Sequence, residues 1–217
     1  MRALIIAAAA ILALTPVAAQ ADIINIPLSV SNILPAPGPY GNVQINLTSP
    51  TTATITFTTT ADYVFIDTGV AAVNVNATSW TLSGLSGGPG FQDNGSIVAL
   101  DGWGSFNQTF KQDDGFADGV TMTTFILTDT SGTWASASAV LINNAAGQEV
   151  GAHIAQVSTS GQCTGFAAGS TNETSSSNNG SGGECINPGT HVPEPMTLAM
   201  FGTMLLGFGA IRYLRRG

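Results

Sequence analysis

Apolar and polar residues alternate with a period of two through residues 22–76. Ile23-Ile24-Asn25-Ile26, Val43-Gln44-Ile45-Asn46-Leu47, Thr54-Ile55-Thr56-Phe57-Thr58 and Val73-Asn74-Val75-Asn76 carry the pattern. Successive side chains of a strand point to opposite faces, so such segments put one face in a core and the other toward water. A helix would scatter the same apolar residues around its axis. Tyr63-Val64-Phe65-Ile66 is apolar throughout and suits a strand covered on both faces. Thr and Asn hold the outward positions where Lys and Glu are usual, and threonine favours the pleated backbone.

Pro35, Pro37, Gly38 and Pro39 punctuate the first connection, and Ser49-Pro50 marks another turn. Further strands are expected at Ile97–Leu100, Phe106–Phe110, Val120–Thr128 and Glu149–Val157, with a Gly-rich loop over Ser83–Gly95. One segment reads differently. Ser131 or Thr133 as N-cap, then Trp134, Ala137 and Leu141 at helical spacing and Gly147 as a stop, predict one short helix. Residues 158–191 are mostly Ser, Gly, Asn and Thr, the composition of a disulfide loop followed by a flexible stalk. The expected fold is mainly β: an antiparallel, jelly-roll-like β-sandwich with that one helix.

The two ends differ from this body. Arg2 is followed by an apolar stretch, Ala3–Leu14, and then by Ala19-Gln20-Ala21, an A-x-A cleavage pattern. Residues 1–21 read as a secretory signal peptide. At the other end, Met196–Ile211 is 16 residues without a charge, followed by Arg212, Arg215 and Arg216. A membrane-crossing helix needs about 20 residues, which the run reaches if Leu214 is counted and Arg212 snorkels to the interface. The arginines predict a cytoplasmic C-terminus with the bulk of the chain outside. Directly before the run, Pro193 and Pro195 hold Glu194 in an extended segment.

Val192-Pro193-Glu194-Pro195, a short apolar span and a terminal arginine cluster together resemble the PEP-CTERM sorting signal of Gram-negative bacteria. The resemblance implies recognition of Pro193, Glu194 and Pro195 by an exosortase, a membrane-embedded cysteine protease or transpeptidase. It also implies a setting of exopolysaccharide or biofilm matrix. The domain plan is then a signal peptide (1–21), an exported domain (22–168), a stalk (169–191) and the sorting signal with its transmembrane helix (192–217). A second, looser resemblance covers Ala61–Ala168. Asp101-Gly102-Trp103-Gly104-Ser105-Phe106-Asn107, Trp134-Ala135-Ser136, Ala152-His153-Ile154 and Gly165-Phe166 are similar to a body shared by some PEP-CTERM proteins of undetermined function.

The charge narrows the partners. Removing Arg2, Arg212, Arg215, Arg216 and Glu194 from a formal net charge of −8 leaves −11 on residues 22–192, with Lys111 the single base. Such a surface repels phosphate backbones, which excludes nucleic acid as a partner. Cys163 and Cys185 are the only cysteines. In an exported chain they read as a disulfide closing a loop of about 20 residues, worth roughly 3 kcal/mol on the loop-entropy argument.

Three constellations could carry chemistry. Asp113-Asp114-Gly115-Phe116-Ala117-Asp118-Gly119 ends like a calcium loop, with Asp113, Asp114 and Asp118 as ligands and Asp101 as a helper. Its upstream half lacks the expected ligands, and a solvated turn is the plainer reading. His153 lies in an apolar strand, as structural histidines do, and no Gly-x-Ser-x-Gly elbow accompanies it. Trp80, Trp103 and Trp134 could stack on sugars; Trp103, flanked by glycines, is the first candidate, with core packing as the alternative. The expected role is therefore structural or adhesive, at the surface or in the matrix, and not enzymatic. A carbohydrate-binding module comes second and an exported hydrolase third.

Overall fold

The computed structural model describes residues 21–33, 38–113, 118–158 and 161–172. In chain order the strands are β1 (Asp22–Leu28), β2 (Val30–Ser31), β3 (Gly41–Ser49), β4 (Thr52–Thr59), β5 (Tyr63–Phe65), β6 (Ala71–Val73) and β7 (Trp80–Ser86). They continue as β8 (Gln92–Asp93), β9 (Val98–Leu100), β10 (Gly104–Phe106), β11 (Gln108–Lys111), β12 (Met122–Asp129), β13 (Val150–Ser158) and β14 (Gly161–Gly169).

Two antiparallel sheets result. The first runs β1-β3-β4-β12-β7, and the second runs β2-β14-β13-β6-β11-β8 with β5 paired to β13. The alternation in the sequence sets the register. Ile45 stands opposite Ile55, and Ile55 opposite Phe125; Val43 pairs with Phe57 in the next row. All of these are fully buried, while on the other face the Thr56 and Thr124 hydroxyls meet at 3.2 Å. The buried face shares one core with Phe65, Ala71, Val73, Phe110, Ile154 and Ala167 of the second sheet. Phe110 and Phe125 join the sheets with ring centroids 4.2 Å apart, a contact worth about 1 kcal/mol beyond its buried area. This layering is consistent with a β-sandwich.

The second sheet is covered on its other face too. β9 and β10 form a separate two-stranded ribbon. Leu100, Trp103 and Phe106 from this flap pack on Val30, Ala72 and Ala168. Hence Ala71, Ala72 and Val73 of β6 are all fully buried: alternate residues enter two different cores. Gly151 makes room for the flap, since a Cβ there would lie 2.7 Å from Leu100 and 3.1 Å from Phe106.

Two expectations are corrected. The helix over Ser131–Gly147 is absent; only Ala137–Ala139 is helical, as a single 3-10 turn. Its backbone groups are committed to distant partners instead. The Trp134 N–H donates to Pro50 O, the Ile142 N–H to Asn74 O, and the Ala137 N–H to the Asp22 carboxylate. The segment read as the start of a loop is also wrong, because Gly161–Gly169 is a full strand pairing β13 along nine residues. Its small residues serve close approach: a Cβ on Gly165 would meet Asn32 Oδ1 at 2.5 Å. Within the expected Gly-rich loop, β7 extends to Ser86 and β8 occupies Gln92–Asp93.

Side-chain bonds tie Ser170 and Thr171 back to the body just after β14. Buried Glu149 accepts the Thr171 N–H and the Thr171 hydroxyl on its two oxygens, each at 2.9 Å. The Ser170 hydroxyl donates to Asn143 Oδ1 at 2.9 Å.

Candidate functional site

The two sheets end on the same side in their most exposed strands, β7 and β8. Between them lies a groove of about 410 Å³, open to solvent and lined by Trp80, Asp93, Ser96, Ile97, Asn107 and Gln108. Trp80 begins β7, Asp93 ends β8, and Gln108 begins β11. A relay of side chains crosses the gap between the sheets. Trp80 Nε1 donates to Gln108 Oε1 at 3.0 Å, and Gln108 Nε2 donates to Asp93 Oδ1 at 2.9 Å. The Gly95 N–H donates to that same carboxylate oxygen at 2.9 Å. Gln108 is buried, so its amide is fixed rather than hydrated.

The surroundings hold the groove in shape. Asn107 takes the Val75 N–H on Oδ1 and returns a bond from Nδ2 to Val75 O, as a neighbouring strand would. The Thr109 hydroxyl donates to Ser96 O at 3.0 Å and pins the loop that forms the rim. Trp80 itself is half-buried and leans on the main core. It stands opposite Asp129 in the register. The Ser131 N–H, then the Ser131 hydroxyl and the Gly132 N–H, donate to that carboxylate and hold its pKa below the ordinary aspartate value. The Ser131 hydroxyl accepts the Thr78 and Ser79 N–H groups in turn, tying down the entry to β7.

The residues singled out from sequence lie elsewhere. Trp103 is 1 % exposed and forms the centre of the flap core; its Nε1 donates to Phe166 O at 3.2 Å. The expectation that it offers an exposed sugar platform is corrected. Gly102 and Gly104 have φ of 82° and 79°, and these turns fold the tryptophan inward. Trp134 is 3 % exposed, with Nε1 donating to Asn76 O, beside a smaller hollow of about 200 Å³.

Asp113 is exposed and its N–H donates to Pro89 O, whereas Asp118 accepts Gln112 Nε2 through its backbone carbonyl. Asp114 lies outside the described residues, which contain no group of three or more His, Cys, Asp or Glu able to hold a metal. His153 stacks on Phe166 with centroids 4.5 Å apart, and its Nδ1 is 4.0 Å from Asp67. Asp67 adopts a positive φ of 57°. Between the sheets, burial pushes the Tyr63 hydroxyl up to about 12, with Tyr40 and Asp62 adding to the shift.

Cys163 is disulfide-bonded. Cys185, all but the last residue of the signal peptide expected over 1–21, and Pro193, Glu194, Pro195, Arg212, Arg215 and Arg216 lie outside the described residues. No helix among the described residues is long and apolar enough to cross a membrane. Sequence reading named Trp80 only as one of three tryptophans, and it missed Gln108 and Asp93. No local pattern announces them, because the relay joins residues of different sheets. Comparison with protein-family models, curated proteins and solved structures finds no match to this chain.

Proposed function

We propose that this is an exported β domain, delivered to the cell surface or extracellular matrix by a PEP-CTERM sorting signal, with a structural or adhesive role. The observation that carries the reading is Val192-Pro193-Glu194-Pro195 followed by Met196–Ile211 and the arginines. The tail supplies exosortase recognition through Pro193, Glu194 and Pro195, and membrane anchorage through the apolar run. The role is non-enzymatic.

The domain is a β-sandwich with jelly-roll-like wiring. The chain changes sheet between β1 and β2, β2 and β3, β4 and β5, β6 and β7, β7 and β8, β11 and β12, and β12 and β13. Thr-rich outer faces and an acidic surface with one base suit a protein exposed to solvent outside the cell.

Expression in a host with and without its exosortase tests the sorting. The mass of the C-terminal peptide and the fraction holding the domain are the readouts. We expect loss of the segment after Pro195, and movement to the surface or medium, only when exosortase is present. Replacing Pro193, Glu194 and Pro195 with alanine blocks both. An intact tail in the inner membrane of both hosts would leave a plain anchored domain.

A further inference from the structure

The groove between β7 and β8 is built from groups that suit one kind of ligand. Trp80 spends its N–H on Gln108, so what remains for a ligand is its ring surface. Asp93 spends Oδ1 on Gln108 and Gly95, which leaves Oδ2 as its other acceptor. The Ser96 hydroxyl and the side chain of Ile97, 69 % exposed, complete the rim. An aromatic surface beside fixed hydrogen-bonding groups matches the alternating C–H faces and hydroxyl edges of a sugar ring.

The alternatives fit less well. No cation among the described residues lines the groove, and residues 22–192 carry −11, so a phosphorylated, sulfated or uronic-acid ligand would be repelled. A calcium ion needs about six to eight oxygen ligands, and one carboxylate with a committed oxygen does not supply them. The opening to solvent lets an extended chain lie across it without end-group recognition.

We propose that the groove bounded by Trp80 and Asp93 binds a neutral oligo- or polysaccharide. The site stands on geometry alone and does not depend on how the tail is processed. Trp80 supplies stacking surface, Asp93 accepts from ligand hydroxyls, and Gln108 positions both.

The test uses the full chain in an amine-oxide detergent, whose head group carries no sugar. Neutral glucan and galactan oligosaccharides of defined linkage are titrated by calorimetry and by tryptophan emission. At least one should bind and shift the emission. Trp80→Ala should weaken that binding about tenfold, the scale of one lost aromatic contact. Asp93→Asn, at an exposed position, should weaken it with thermal stability retained, which covers the case in which Trp80→Ala folds poorly. Trp134→Phe should leave binding unchanged. Absence of binding to every neutral oligosaccharide at about 10 mM, weaker than any useful affinity, overturns the proposal. So does binding that survives both groove substitutions, or binding confined to choline or to a uronic-acid polymer. The sorting reading is scored by tail mass, so the two can fail separately.

Discussion

The flap that carries Trp103 and the sheet edge that carries Trp80 both tie an indole N–H to the second sheet, with different acceptors. Trp103 donates to the backbone carbonyl of Phe166, which cannot turn away, beneath a cover of Leu100 and Phe106. Trp80 donates to the side chain of Gln108, which is itself held by Asp93. The first arrangement seals an aromatic ring inside a core. The second fixes a ring in place while leaving part of it at the surface. A tryptophan's surroundings in the chain say little about which arrangement it joins; the acceptor and the cover decide.

That contrast is open to attack at several points. Trp103→Ala should cost about 3–5 kcal/mol, as truncation of a fully buried large aromatic does, and should lower the denaturant midpoint sharply. Trp80→Ala should cost about 1–2 kcal/mol, mostly through the abandoned Gln108 amide. Equal losses would mean that the flap is no more a core than the edge. Gly104→Ala sharpens the flap side. A Cβ there meets Ala146 at 2.9 Å on a backbone with φ of 79°, and a loss of about 1–2 kcal/mol should appear with partial exposure of Trp103 to quenchers.

Gln108→Leu sharpens the edge side. It removes both bonds of the relay and should cost about 1 kcal/mol, while the emission of Trp80 reports a ring no longer fixed. At neutral pH the smallest effect belongs to Tyr63. Its hydroxyl is raised from 10.0 to about 12 by burial, so the folded state holds that proton more tightly than the unfolded chain. Its contribution is complete below pH 10 and is lost as pH rises toward 12. Tyr63→Phe should flatten the fall in stability over that window.

Much of the fold is legible in the sequence because several of its long strands are solvated on one face. β1, β3, β4 and β12 each have one buried and one solvated face, so their residue patterns carry the period directly. Elements that break the pattern are hidden from such a reading. β14 is rich in Gly and Ala where Pro27, Asn32 and β2 crowd it, and small residues at close contacts look like a loose tract. The Ser131–Gly147 segment has helical spacing, yet Asp129 and Asn74 take its backbone groups as partners. The groove was the least legible part. Gln108 and Asp93 are ordinary residues until β8 and β11 are laid side by side, and Trp80 gains its partner only across the gap between the sheets.

The Glu149 clasp has a mechanical consequence. β13 and β14 form a hairpin whose open end pairs Val150 with Gly169, next to Ser170 and Thr171. In a protein held at a membrane through its C-terminus, tension pulling residue 172 away from the body loads that end first. An unclasped hairpin would then unzip one residue pair at a time, the weakest way to resist a pull. Glu149 holds Thr171 by backbone and hydroxyl together, and Asn143 holds Ser170, so several bonds must fail at once before the first pair opens. A single buried carboxylate thereby supplies two of the bonds that would have to break before such a pull could open the hairpin.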